Sequence, residues 1–382
     1  MPAFPDHWLD ETHLAFRQTC QRFAEEEIRP HIDEWEEKGE FPLELYKKAA
    51  AAGILGVGFP EEWGGSGGDI MHCAMATEGL HYGTSGGIVA GLGSLGIALP
   101  PLFFLGSDEQ RERVARPVLA GEKIMALAIT EPGAGSDVSG IRTRAEKRGS
   151  EYIISGSKLF ITSGCRADTY MALCRTGEDK HGGLTFFIID RNSPGVSVSA
   201  PLRKTGWWAS DTAEISFDDV RVPEENRVGG EGTGFLAVMQ NFQQERLVLA
   251  TYGHATAEMA FKEALRYAKE REAFGKRLTS MQVIRHKLAE MQTKITVAKS
   301  MNYSLGLQLA AGEYLVKEVS MAKNFSATTA MEVTYEAVQI LGGMGYMRES
   351  AVERLSRDAR LLPIGGGTQE IMNEIIAKHL CS

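Results

Sequence analysis

Apolar positions recur at helical spacing through the first third of the chain. Leu14, Phe16, Phe23, Ile28 and Ile32 fall near one face among Glu and Arg residues, a stripe that a helix can bury. Pro30 predicts an end or a kink in that run, because it lacks a backbone donor and crowds the preceding turn. Phe41-Pro42 predicts a second helix through Ala52, stopped by Gly53. The glycine-rich loop after Trp63 precedes another over Met71–Tyr82, and Asp108-Glu109 starts one that ends near Gly121. Between them, Gly86–Leu105 is apolar and about as long as a membrane span. Its glycines, Pro100-Pro101 and the lack of anchoring flanks predict a helix buried in a soluble core instead.

From about Lys123 the period changes. Tyr152–Ser155, Leu159–Thr162, Tyr170–Arg175, Leu184–Asp190 and Val196–Ala200 are short β-branched or aromatic runs separated by turn residues. Ile215 and Phe217, then Val220 and Val222, alternate across Asp218-Asp219, which predicts a bulge or a strand end. Short strands without intervening helices predict an antiparallel sandwich or barrel, not a parallel nucleotide-binding sheet.

From about Gly234 the helical period returns in long runs: Phe235–Arg271, Val283–Ala311, Tyr314–Leu341 and Thr368–Lys378. The expected architecture is α+β. An N-terminal helical domain covers 1–122, a middle antiparallel β-sandwich or barrel domain 123–228, and a C-terminal four-helix bundle 229–382.

Composition narrows the partners. A net charge of −9 argues against nucleic acid, which needs clustered Lys and Arg. Five cysteines without a close-spaced pair fit reduced thiols in a cytoplasmic protein, not a disulfide framework or a metal site. The opening residues have no basic or apolar leader pattern, so neither a signal peptide nor a stable membrane anchor is expected.

Three features could carry chemistry. Gly91-Leu-Gly93-Ser-Leu-Gly96 is a literal G-x-G-x-x-G, but Pro100-Pro101 cuts short the long helix that a dinucleotide fold needs after it, and the surroundings are helical. Close helix packing explains it better. Thr130-Glu-Pro-Gly-Ala-Gly-Ser-Asp137 lies where helical and β segments meet. Its glycines let backbone amides approach a ligand, though a structural turn accounts for it equally. Glu245 shares a helix face with Val238, Phe242, Val248 and Leu249. A carboxylate there is either half of a buried ion pair, with Arg246, or a base whose pKa burial has raised.

With these residues in view, the chain resembles the acyl-CoA dehydrogenases over essentially its whole length. The matching motifs are Ile129–Asp137, Lys158-Leu-Phe-Ile-Thr-Ser163, Arg271-Glu-Ala-Phe-Gly275, Gln339-Ile-Leu-Gly-Gly343 and Gly365-Gly-Gly-Thr-Gln-Glu370, in the family's order. The resemblance implies FAD held between domains. Leu127, Ile129, Thr130, Gly135 and Ser136 would line the flavin, with Ser136 also near the CoA. Phe160 would lie against its ring, and Thr162 near the reactive nitrogen. Arg271, Phe274, Gln282, Gln339, Gly342 and Gly343 would hold the pyrophosphate and adenine across a subunit boundary, implying a homotetramer built as a dimer of dimers. Thr368 and Glu370 match further FAD contacts.

Many relatives place the catalytic Glu just before the Gly-Thr of the last motif; here that position is Gly366. The isovaleryl-CoA and long-chain branches carry the base on the long helix, in a Glu-Arg-Leu context that Glu245-Arg-Leu matches. The implied reaction is α,β-dehydrogenation of an acyl-CoA, long-chain or 3-methyl-branched. Glu245 would take the pro-R α-proton while the β-hydrogen leaves as hydride to FAD, and an electron-transfer flavoprotein would receive the electrons. Arg246, Gln243, Gln244, Gly366 and Gly367 would lie near the substrate, and Gly366→Glu is expected to return a base to the usual position. An acyl-CoA oxidase, a related flavin monooxygenase, or a non-catalytic acyl-CoA-binding relative is the alternative.

Overall fold

The computed structural model describes residues 4–381. The first three residues, where a leader pattern would begin, and Ser382 lie outside them. Pro30 kinks its helix without ending it. Helix α1 (Glu11–Phe23) passes through a π-helical turn (Ala24–Ile28) and a 3-10 turn (Arg29–His31) into α2 (Ile32–Lys38). The wider turn ahead of the ring accommodates the missing donor. Gly39, at φ +78°, closes α2 in the left-handed conformation that glycine adopts most easily. Helices α3 (Glu44–Ala51) and α4 (Ile70–Leu80) come next in the chain.

The apolar stretch forms α5 (Gly86–Ala98) and α6 (Pro100–Leu105), joined at Leu99. It is long and apolar enough to cross a membrane, yet Ile88, Leu92, Leu95, Leu99 and Leu102 are packed into the core. Close packing accounts for Gly91, where a Cβ would lie 2.5 Å from the Phe41 ring, but not for Gly93 and Gly96, which face open space. Short helices α7 (Asp108–Gln110) and α8 (Arg116–Leu119) complete this part, separated by a π-helical turn.

Eight strands make one connected sheet: β1 (Met125–Ala128), β2 (Arg144–Arg148), β3 (Glu151–Thr162), β4 (Thr169–Arg175), β5 (Leu184–Asp190), β6 (Val196–Val198), β7 (Thr212–Pro223) and β8 (Arg227–Val228). Their order is β6-β7-β3-β2-β4-β5-β8, with β1 against β4. The long pairings, β3 with β7 and β4 with β5, are antiparallel as expected. Strand β1 instead runs parallel to β4, in register Met125 with Thr169. Two runs read separately from the sequence are one strand, β3, whose register shifts near Gly156. The partner bulge falls at Asp218-Asp219, with Asp219 at φ +50°.

The C-terminal part contains α9 (Gly234–Glu270), a small hairpin of β9 (Glu272–Ala273) and β10 (Lys276–Arg277), α10 (Gln282–Ala310), α11 (Val316–Leu341), α12 (Ala351–Ala359) and α13 (Gln369–Cys381). Four match the expected long helices. The short α12 escaped the sequence reading because its buried face includes Arg354 and Asp358 beside Val352 and Leu355, which breaks the apolar stripe.

A polar network joins α1 and α4 to the bundle. The buried Glu78 carboxylate accepts from Tyr303 (2.9 Å) and Arg17 (3.2 Å) and pairs with His254 Nε2 (2.8 Å). Burial alone would raise the Glu78 pKa, but Lys299, His254 and Arg17 hold it well below the ordinary carboxylate range.

Candidate active site

The Thr130 segment is anchored from beneath by a buried lysine. Lys158 on β3 donates to the carbonyls of Ile129 (3.0 Å) and Leu173 (2.6 Å) and to Oε1 of Glu131 (2.8 Å). Glu131 in turn accepts from the backbone amides of Arg142 (2.7 Å) and Thr143 (2.9 Å). Burial would push the Glu131 carboxyl up; Lys158 and these donors outweigh it and keep the carboxylate charged. Leu159 N–H bonds the Thr130 carbonyl at 2.8 Å, locking the segment to β3. Leu127, Ile129 and Thr130 are half-buried on it, while Gly135 and Ser136 stand exposed with open space around Gly135. Neither Lys158 nor Glu131 drew a role from the sequence.

Phe160 sits on the irregular part of β3 at φ +60° with 65% of its surface exposed. A core position is therefore excluded: the ring is displayed at the surface next to the anchored segment. Thr162, two residues on, is half-buried, at the end of β3 beside Thr212.

On α9, Arg246 is buried and Glu245 half-buried. The opposing surface is the turn Gly365–Thr368, between α12 and α13. Oε1 of Glu245 lies 3.6 Å from where a Cβ would stand on Gly366, and an Arg246 guanidinium nitrogen lies 3.9 Å from the equivalent point on Gly367. Burial raises the Glu245 pKa; Arg246 and Lys323 oppose that and do not cancel it. No ion pair or hydrogen bond holds Glu245 among the described residues, so the ion-pair reading with Arg246 fails on geometry. Arg246 stacks over Phe242, 5.2 Å from its centroid, and its Nε is buried without a partner among the described residues.

Lys323 of α11 completes this cluster and was missed by the sequence reading. It is buried, and its ammonium donates to the Gly367 carbonyl. Position 366 does not accept a side chain readily. Gly366 is at φ +64°, and a Cβ there would lie 2.1 Å from Cδ1 of Leu249. The φ strains any side chain at 366, Glu included, while Cδ1 of Leu249 is the movable end of a side chain. Gln243 accepts from Leu315 N–H at 3.2 Å, a structural tie between α9 and the start of α11, and Gln244 is exposed. Thr368 caps α13 by accepting from Ile371 N–H at 3.3 Å, and Glu370 is exposed in its first turn.

The remaining expected cofactor residues lie elsewhere. Arg271, Phe274, Gln282, Gln339, Gly342 and Gly343 are all exposed where the ends of α9, α10 and α11 meet; Phe274 is 97% exposed at φ +53°. Arg271 is 26 residues from Glu245 along α9, about 39 Å at the helical rise.

Comparison with known proteins agrees across the chain. Three family models match: Acyl-CoA dehydrogenase, N-terminal domain over 10–122, middle domain over 126–220, and C-terminal domain over 232–381. The chain is 39% identical to a mouse protein named long-chain specific acyl-CoA dehydrogenase, over 97% of this chain and 86% of that one. It is 37% identical to a caffeyl-CoA reductase–Etf complex subunit of Acetobacterium woodii, over 98% and 99%. A crystal structure of a probable acyl-CoA dehydrogenase from Mycobacterium abscessus superposes with TM-score 0.96 at 51% identity, over 98% of this chain and 100% of that one. A glutaryl-CoA dehydrogenase from Mycobacterium smegmatis in complex with FADH2 superposes with TM-score 0.93 at 26% identity, over 99% and 96%.

Proposed function

Because the chain belongs to the acyl-CoA dehydrogenase family, oxidoreductases that act on the CH–CH bond with FAD, we propose that it dehydrogenates a long-chain or 3-methyl-branched acyl-CoA with Glu245 as the base. The observation that carries this reading is a desolvated carboxylate, held by no ion pair among the described residues, facing a turn that a side chain at Gly366 would obstruct. A structural carboxylate would have a partner; a base needs a raised pKa and a free oxygen.

The surfaces available suit FAD. Phe160 offers an exposed aromatic face beside Thr130, and Gly133, Gly135, Gly342 and Gly343 have open space where side chains would stand. Leu127, Ile129, Thr130, Gly135, Ser136, Phe160 and Thr162 would hold the flavin end. Arg271, Phe274, Gln282, Gln339, Gly342 and Gly343 would hold the pyrophosphate and adenine, with Thr368 and Glu370 as further contacts. Since Arg271 and Glu245 stand about 39 Å apart along one helix, the second group serves a neighbouring subunit's site. We therefore propose a homotetramer, whose contacts would cover Phe274, Tyr346 and Met344, all largely exposed in the single chain. Bound FAD supplies the acceptor that takes the β-hydrogen as hydride.

The protein's own groups do the rest. Glu245 removes the α-proton. The Gly366 N–H bonds no protein acceptor among the described residues and would donate to the thioester carbonyl. A donor of this kind contributes about 10²–10³ in rate. Arg246, with its unpartnered Nε, and Gly367 border the substrate. An electron-transfer flavoprotein is the proposed electron acceptor, in a cytoplasmic setting suited to five free cysteines.

The test is anaerobic flavin bleaching by a panel of acyl-CoAs of varied length and branching. Bleaching fastest with long-chain or 3-methyl-branched substrates supports the reading. Bleaching by none, with flavin bound, would leave a non-catalytic binder, and rapid peroxide formation in air would make it an oxidase.

A further inference from the structure

Lys323 lies on the buried face of α11 with Val319, Ala322, Ser326 and Ala330. An ammonium on such a face is expensive unless the site uses its charge. Yet its only hydrogen-bond acceptor among the described residues is the carbonyl of Gly367, a neutral group. The adjacent residue ties α11 to α13 with neutral groups alone. Asn324 Nδ2 donates to the Gln369 carbonyl at 3.2 Å and to Asn373 at 2.9 Å. Among the described residues, the charged groups that act on Lys323 are both on α9: Glu245, which stabilises it, and Arg246, which opposes it. From α13 and its leading turn the group in contact with Lys323 is the Gly367 carbonyl; Gln369 and Asn373 bond Asn324 instead.

Resting on the reading of Glu245 as base, we propose that Lys323 is a positioning residue with two effects. Its bond to Gly367 fixes the turn so that the Gly366 amide presents toward the substrate, and its charge keeps Glu245 ionised at working pH. Burial and Arg246 bring the Lys323 pKa down to about 8, while Glu245 opposes the fall, so the ammonium persists through neutral pH. Lys323 and Glu245 meet at one turn, through Gly367 and Gly366 respectively, and a nearby opposite charge favours the ionised carboxylate.

The experiment compares FAD-loaded wild type, Lys323→Met, Lys323→Gln and Lys323→Arg. kcat/KM is followed against pH, with flavin content and thermal midpoint recorded for each. The acid limb of the profile should move up by about one pH unit in Lys323→Met and return close to wild type in Lys323→Arg. Lys323→Gln keeps a donor for Gly367 without the charge and should show the shifted limb even if Lys323→Met does not fold. A uniform loss of activity with an unmoved acid limb in the neutral variants would overturn the proposal. So would a shifted limb in Lys323→Arg. Failure of the base itself reads differently: Glu245→Gln would then keep its turnover whatever the Lys323 variants do.

Discussion

Oε1 of Glu245 lies 3.6 Å from the point at which a side chain on Gly366 would begin. Glu245 belongs to α9 and Gly366 to the turn before α13, yet the two meet. The carboxylate reaches across from α9 to ordinary contact distance of that point. Leu249 stands 2.1 Å from the same point, so the pocket is built around the glycine.

Substitution at 366 should therefore damage the site and not repair it. Gly366→Ala places a Cβ on a residue at φ +64°, which we expect to destabilise the fold by about 1–3 kcal/mol. Gly366→Glu should fall at least as far and leave Glu245→Gln inactive when combined with it. Thermal midpoints and turnover of the double variant check this; restored turnover would mean the glycine is replaceable.

The raised pKa of Glu245 ties activity and stability to opposite sides of pH. Turnover requires the carboxylate, so kcat/KM should rise as pH passes upward through the raised folded value. Stability should run the other way. The folded state holds this proton above the ordinary carboxylate pKa, so its contribution is full at low pH and is lost as pH rises through the folded value. Glu245→Gln should accordingly raise the thermal midpoint at neutral pH while removing activity. A midpoint unchanged between the two proteins across pH 4–8, on the order of the window expected, would contradict a desolvated base.

Lys158→Met tests the anchor under the Thr130 segment. It leaves Glu131 buried without its cation, a change that typically costs about 3–5 kcal/mol, and releases the Ile129 carbonyl. Purified protein should carry less flavin and melt earlier. Phe160→Ala, at an exposed position, should lower flavin content with a stability change of about 0.5 kcal/mol or less in the apoprotein. Equal destabilisation by both would show that Phe160 belongs to the fold.

The order of helical, β and helical segments was readable from hydrophobic period alone, because most faces in this fold are buried on one side. Glu245 was singled out by the same period. What period could not supply was its state. An ion pair and a free base share one helical pattern, and only the absence of a partner atom separates them. Lys323 satisfies the test that found Glu245, a charged residue among Val319, Ala322, Ser326 and Ala330, and was readable in principle. Lys158 was not, since strand alternation does not reveal that a lysine points inward onto a carboxylate 27 residues earlier. The parallel pairing of β1 with β4 was hidden for a related reason: 40 residues separate the two strands, and register across that distance is a tertiary choice. At Gly366 the sequence shows only that no carboxylate stands there; its positive φ and the contact with Leu249 appear only in three dimensions.

The Glu78 network predicts where acid unfolds the protein. Its folded pKa is depressed by Lys299, His254 and Arg17, so its stabilisation is present above the ordinary carboxylate pKa and is lost as pH falls toward the folded value. Glu78→Gln should lower the thermal midpoint at pH 7 and narrow its difference from wild type as the solution is acidified below about pH 4. A difference that stays constant with pH would place the stabilising charge elsewhere.

Removal of the α-proton by Glu245 is read in the reductive half-reaction. Wild type and Glu245→Gln are loaded with FAD, mixed anaerobically with the best acyl-CoA from the panel, and followed at the flavin absorbance. The variant should have equal flavin content and retain acyl-CoA binding, with bleaching slowed by about 10³-fold or more. Bleaching within tenfold of wild type would mean that another group takes the proton.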